Sequence, residues 1–104
     1  MKTIYIAHAI SGDVEGNIKK VLKIVRHLNI TMPEILPFAP YIVDLQCLDD
    51  NIAAERERGF KNNAHYFNSG FIDELWIYGH ITNGIWEEIE LAKKANCLIR
   101  FCSL

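Results

Sequence analysis

Residues 3–28 read TIYIAHAISGDVEGNIKKVLKIVRHL, and the change of period inside this stretch decides the fold. Thr3–Ala7 is an unbroken β-branched and aromatic run, the pattern of a strand buried on both faces. His8–Asn17 follows, rich in turn residues and carrying a helix-start signal. From Val14 onward, Val14, Ile18, Val21, Leu22, Val25 and Leu28 recur at helical spacing, and Asn29 is a stop. A fully apolar strand that passes through a short loop into an amphipathic helix is the first half of a βαβ unit.

The same alternation continues outward. Ile35–Phe38, set among Pro33, Pro37 and Pro40, reads as a short strand that ends where proline removes its donors. Residues 41–51 read as a loop or broken helix, longer than a minimal connection, and such connections often carry function. AAERERGFKNNAHYFNSG (53–70) suits a helix ending by Gly70, and DELWIYG (73–79) a second clear strand. A helix from Asn83 or Gly84 to about Ala95 and a strand over CLIRFC (97–102) complete the chain. The order β-α-β-α-β-α-β implies an α/β fold with a parallel sheet and helices on both faces. This is a three-layer Rossmann-like or flavodoxin-like arrangement, with four strands in the order 2-1-3-4. Such sheets take ligands outside the carboxyl ends of the strands, where the winding reverses. That point lies between the strand ends at Ala7 and Gly79, facing residues 8–16, 41–51 and 80–88.

The 104 residues suit one domain, 1–104, with no room for a second. Half of the chain is apolar and 23% is charged, the balance of a folded globular protein. The formal net charge of −2 gives no electrostatic ground for a nucleic-acid partner. Lys19, Lys20, Lys23 and Arg26 cluster, and their spacing fits the solvated side of the first helix. Three cysteines, Cys47, Cys97 and Cys102, are an odd number without a zinc-type spacing, so neither a disulfide framework nor a structural metal is expected. Cys97 and Cys102 fall in an apolar run and read as buried thiols. No run reaches the ~18 apolar residues of a membrane span, and the N-terminus lacks the basic region of a secretory signal. These features predict a cytoplasmic protein without a membrane partner.

Among the residues facing the crevice, the His8–Asn17 loop brings glycines and a helix start together, which favours an anion. It matches neither the dinucleotide glycine pattern nor a P-loop. In the helix Ile85, Ile89 and Ala92 mark the buried stripe; Glu88 lies beside it, while Glu87 and Glu90 face outward. A carboxylate there either partners the helix dipole or attacks an electrophilic sugar carbon. His8 and His80 each follow a strand directly and border the crevice, where an imidazole serves as acid, base or hydrogen-bond donor. His65 reads as a packed helix residue and His27 as a solvated one.

Lys2-Thr-Ile-Tyr5 opening the first strand, together with Gly84-Ile-Trp-Glu-Glu88-Ile-Glu-Leu-Ala92, resembles the nucleoside 2-deoxyribosyltransferase superfamily. The likeness extends to Pro37-Phe-Ala-Pro-Tyr41 and to Asp73-Glu-Leu-Trp-Ile-Tyr-Gly79. It implies that Glu88 is a nucleophile forming a covalent intermediate at C1′ and that Tyr5 orients it. It also implies that Ser11, Gly12, Asn83 and Gly84 hold the 5′ end of a sugar; His8, Asn17 and His80, which border the crevice by their place in the chain, are the further ligand-binding candidates. Two aspartates of the family are missing: the position of one falls at or near His65, and Thr82 replaces the other. Asp73 belongs at the start of its strand, away from the crevice.

The resemblance implies a nucleoside or nucleotide ligand and cleavage or transfer of an N-glycosidic bond; no cofactor or metal is expected, and the place of His8 and His80 at the strand ends permits either to supply the missing proton. A non-catalytic protein that senses or sequesters a nucleotide, of ADP-ribose type, is the alternative. A homodimer or higher homo-oligomer is expected from the many large rings, Tyr41, Phe60, Tyr66, Phe67, Phe71 and Trp86, on so short a chain.

Overall fold

The computed structural model describes residues 1–103. Four strands, β1 (Lys2–His8), β2 (Ile35–Phe38), β3 (Glu74–Tyr78) and β4 (Leu98–Cys102), alternate with α1 (Val14–Thr31), α2 (Tyr41–Cys47), α3 (Ala53–Asn68) and α4 (Asn83–Lys94). The strands form one parallel sheet in the order β2-β1-β3-β4, as the sequence predicts. The winding reverses between β1 and β3, the two central strands. Helices cover both faces, giving an α/β, Rossmann-like or flavodoxin-like architecture.

Alternation along β1 divides the core. Tyr5 and Ala7 face Phe67 of α3 and Ile85, Ile89 and Ala92 of α4, together with Leu75 and Ile77 of β3. Ile4 and Ile6 face Ile24 and Leu28 of α1, together with Trp76 and Tyr78. Because both faces are covered, the central strands read as continuous apolar runs. Edge strand β2 tolerates Pro37, which sits opposite Ile4 in the register.

The carboxyl ends of β1 and β3 meet through a close approach of backbone and ring. Gly79 has φ +79°, a conformation that favours glycine, and a Cβ there would lie in contact with the His8 ring, 3.4 Å from Nε2. At the start of α1, Asp13 accepts the Gly16 N–H at 3.1 Å. The Asp13 carboxylate fills the space a Cβ at Gly16 would take.

Several expectations need correction. Residues 41–47 form a regular helix, started by Pro40, whose fixed φ of −68° is already helical. The buried stripe of α1 is Val21, Ile24 and Leu28, whereas Val14 and Leu22 are exposed. Cys97 and Cys102 are only partly buried, because β4 is a sheet edge with Leu98 and Phe101 exposed. Phe67 is fully buried under Tyr5, while Phe60, Phe71 and Trp86 are exposed and Tyr41 and Tyr66 lie between.

Truncating a ring wedged between sheet and helix leaves a cavity. Phe67→Ala is expected to lower unfolding free energy by about 3–5 kcal/mol, and Val43→Ala, on an exposed side chain, by only about 0.5 kcal/mol. Urea denaturation of both variants tests this; equal losses would contradict the assigned core.

Candidate active site

Tyr5 sits in the middle of β1 with its side chain under α3 and α4, and it is wholly buried. Its ring stacks on Tyr41 at 5.7 Å, tilts against Phe67 at 4.8 Å and meets Phe38 edge-on at 6.3 Å. Three aromatic neighbours fix the ring plane and therefore the direction of the phenol. That hydroxyl donates to Oδ1 of Asn63 at 2.5 Å. The Nδ2 of the same amide donates to Oε2 of Glu88 at 3.1 Å. One side chain of α3 thus joins a residue of β1 to a residue of α4, and its two ends need opposite hydrogen-bond roles. Asparagine supplies both.

Glu88 reaches this position because it shares the inward face of α4. Ile85 lies three residues before it and Ala92 four after, and all three are buried. The helix starts on Thr82, whose Oγ1 accepts the Ile85 N–H at 3.3 Å. Glu87 and Glu90 point to solvent, as the spacing predicts.

The electrostatics follow from burial. Desolvation raises the Glu88 carboxyl above the ordinary glutamate range; the nearby Tyr5 hydroxyl and the Asn63 amide oppose it, and Glu87 adds a smaller push upward. Desolvation, then the charge of Glu88, holds the Tyr5 phenol well above its usual value. Tyr41 is raised for the same two reasons, and its hydroxyl donates to the Ile6 carbonyl at 2.7 Å. Both phenols are therefore protonated donors near neutral pH. The other buried carboxylate, Glu74, differs in having a cation, the Lys2 ammonium at 3.2 Å. Glu88 forms no such ion pair among the described residues.

The remaining candidate residues stand at the carboxyl end of the sheet. His8 is buried, with Nδ1 2.6 Å from the Ala9 carbonyl and its ring against Gly79. Asn17 spends its amide on the Ile10 carbonyl at 2.9 Å, which pins the loop after β1. Ser11, Gly12, His80, Asn83 and Gly84 are exposed. The structure therefore brings Tyr5 and Glu88 together through Asn63; no hydrogen bond among the described residues joins the exposed set to Glu88. Asp73 lies at the opposite end of the sheet, where its carboxylate accepts the Thr3 N–H at 2.8 Å.

Asn63 is the residue the sequence does not mark. Asn63 turns inward two residues before His65, and His65 is exposed rather than packed. The available signal was the Asn62-Asn63 pair in the middle of a helix, where asparagine is a poor helix former and needs another reason to be present. Asn62 also has a tertiary role, donating to Asp44 of α2 at 3.3 Å. Asn63 further lines a groove of about 400 Å³ between α3 and α4, with Phe60, Trp86 and Leu91.

Because burial raises Glu88, the folded chain keeps its proton to higher pH than the unfolded chain, whose glutamate ionises near ~4.3. Stability contributed by this residue is therefore lost as pH rises from there through the folded pKa. Glu88→Gln is expected to raise the urea midpoint relative to wild type near about pH 7 and to give no gain near about pH 4. An equal change at both pH values, followed by circular dichroism, would contradict a buried, uncompensated carboxylate.

No curated protein matches the chain significantly. A family model described as a domain of unknown function, DUF7768, matches residues 2–102, nearly the whole of the fold just described. The chain belongs to the DUF7768 family.

Proposed function

We propose that this domain binds a nucleoside or nucleotide and cleaves or transfers its N-glycosidic bond, with Glu88 as the nucleophile. The observation that carries the reading is the Tyr5–Asn63–Glu88 chain of hydrogen bonds, which holds a desolvated carboxylate in one orientation. A carboxylate stripped of water is a stronger nucleophile and is steered by the amide that grips Oε2. It attacks C1′, the base departs with the bonding pair and takes a proton from solvent, and water or a second base then releases the sugar from the glutamyl ester and gives up a proton in return. Tyr5 acts as a positioning residue through Asn63. The resemblance of the Tyr5 strand and the Gly84–Ala92 helix to the nucleoside 2-deoxyribosyltransferases supports the same assignment.

A second reading, a nucleotide sensor that binds without turnover, is favoured by Asn63 itself. An amide cannot hand a proton to a departing base, and His8, engaged with Ala9 and Gly79, is not seen to replace it. A panel of nucleosides and nucleotides, read by thermal shift and by free base, separates the two. Catalysis predicts base release that Glu88→Gln abolishes with the fold intact. A shift without base release, or equal turnover by mutant and wild type, removes Glu88 from the mechanism.

Self-association in the cytoplasm belongs to the same proposal. The three cysteines are free, which suits a reducing compartment. No helix of the described residues is long and apolar enough to cross a membrane. Phe60 and Trp86 are 48% and 52% exposed on either side of the α3–α4 groove, where a second copy would cover them. Sedimentation at micromolar concentration is expected to show a species of twice the 11.9 kDa chain mass. A clean monomer would defeat this part of the proposal.

A further inference from the structure

We propose that the preferred substrate is a nucleoside with a cationic pyridinium base, the chemical class of nicotinamide riboside, rather than a neutral purine or pyrimidine nucleoside or a nucleotide. The inference rests on Glu88 acting as the nucleophile, and three separate features of the site lead to it.

The first is the leaving group. A neutral purine or pyrimidine leaves C1′ as an anion unless an acid protonates it. The α3 side chain beside Glu88 is the amide of Asn63, which has no proton to transfer. The Tyr5 and Tyr41 hydroxyls donate to Asn63 and to the Ile6 carbonyl, and neither His8 nor His80 hydrogen-bonds to Glu88 among the described residues. A pyridinium needs no acid. As the Glu88 oxygen bonds to C1′, the C1′–N pair passes to the ring nitrogen, whose positive charge it cancels, and neutral pyridine departs. Water then attacks C1′, the ester C–O bond breaks to restore the carboxylate, and one proton enters solvent. Pyridinium riboside and water thus give ribose, pyridine and a proton.

The second is charge. Glu88 is buried with only neutral donors on it, whereas the similarly buried Glu74 has Lys2 beside it. A buried carboxylate without a counter-ion is costly, and a cationic ligand supplies the missing charge. A neutral nucleoside cannot.

The third is the start of α1, at the carboxyl end of the sheet. The N-terminus of α1, the natural phosphate seat at this end of the sheet, is already capped by the carboxylate of Asp13, with Glu15 in the first turn. A 5′-phosphate there would meet the negative charge of Asp13 and Glu15.

The test incubates the whole protein and Glu88→Gln with nicotinamide riboside, its neutral 1,4-dihydro form, nicotinamide mononucleotide, adenosine and uridine, and measures free base. The expected result is Glu88-dependent nicotinamide release from the riboside, with kcat/KM at least about tenfold above every other compound. Adenosine or uridine cleaved as well as the riboside would overturn the cationic preference and leave the Glu88 chemistry standing. Mononucleotide cleaved as well as the riboside would overturn the exclusion of phosphate. Base release from none of them would defeat both this inference and the glycosidic reading beneath it.

Discussion

A carboxylate drawn into the interface between a sheet and its helices has to be satisfied there, and at Glu88 that task falls to the amide of Asn63. The amide accepts from Tyr5 and donates to Glu88, so β1, α3 and α4 are tied at one point. Removing either end strands a buried polar group, at a cost of about 1–3 kcal/mol and more for the charged one. The surrounding architecture serves this contact. Tyr41, Phe67 and Phe38 hold the Tyr5 ring, and Ile85, Ile89 and Ala92 hold the face of α4 that carries Glu88.

The two buried glutamates differ in their partners. Glu74 accepts from Trp76 at 3.0 Å and from the Lys2 ammonium, which hold its carboxyl below the ordinary range. That arrangement stabilises its charged form and gives no hint of chemistry. Glu88 is raised, has neutral partners and lies near the switch point of the sheet, where α/β folds gather ligands. That contrast is the physical basis of the functional proposal made for Glu88.

Much of this was legible in the sequence, and for identifiable reasons. TIYIA and ELWIY are buried on both faces, so their apolar runs announced central parallel strands. Glu88 was readable because Ile85, Ile89 and Ala92 fix the inward face of α4. What escaped was tertiary. Asn63 lies in a polar helix stretch, and only the approach of β1 and α4 from either side turns its amide into a bridge. The short helix α2 depends on Pro40 lending its φ and on Ile42 finding a pocket, neither of which a periodic pattern records. The stripe of α1 shifted from Leu22 to Ile24 because β1 and β2, not the helix alone, choose which side is covered.

The central claim is that the carboxylate held by Asn63 bonds covalently to a sugar. A riboside bearing fluorine at C2′ slows hydrolysis of such an ester by withdrawing charge from the anomeric centre. Intact-mass spectrometry after incubation with this compound, followed by peptide mapping, is the most direct measurement. The account predicts one glycosyl adduct per chain, located on Glu88. Base release with no adduct at any time point, or an adduct on another residue, would contradict it.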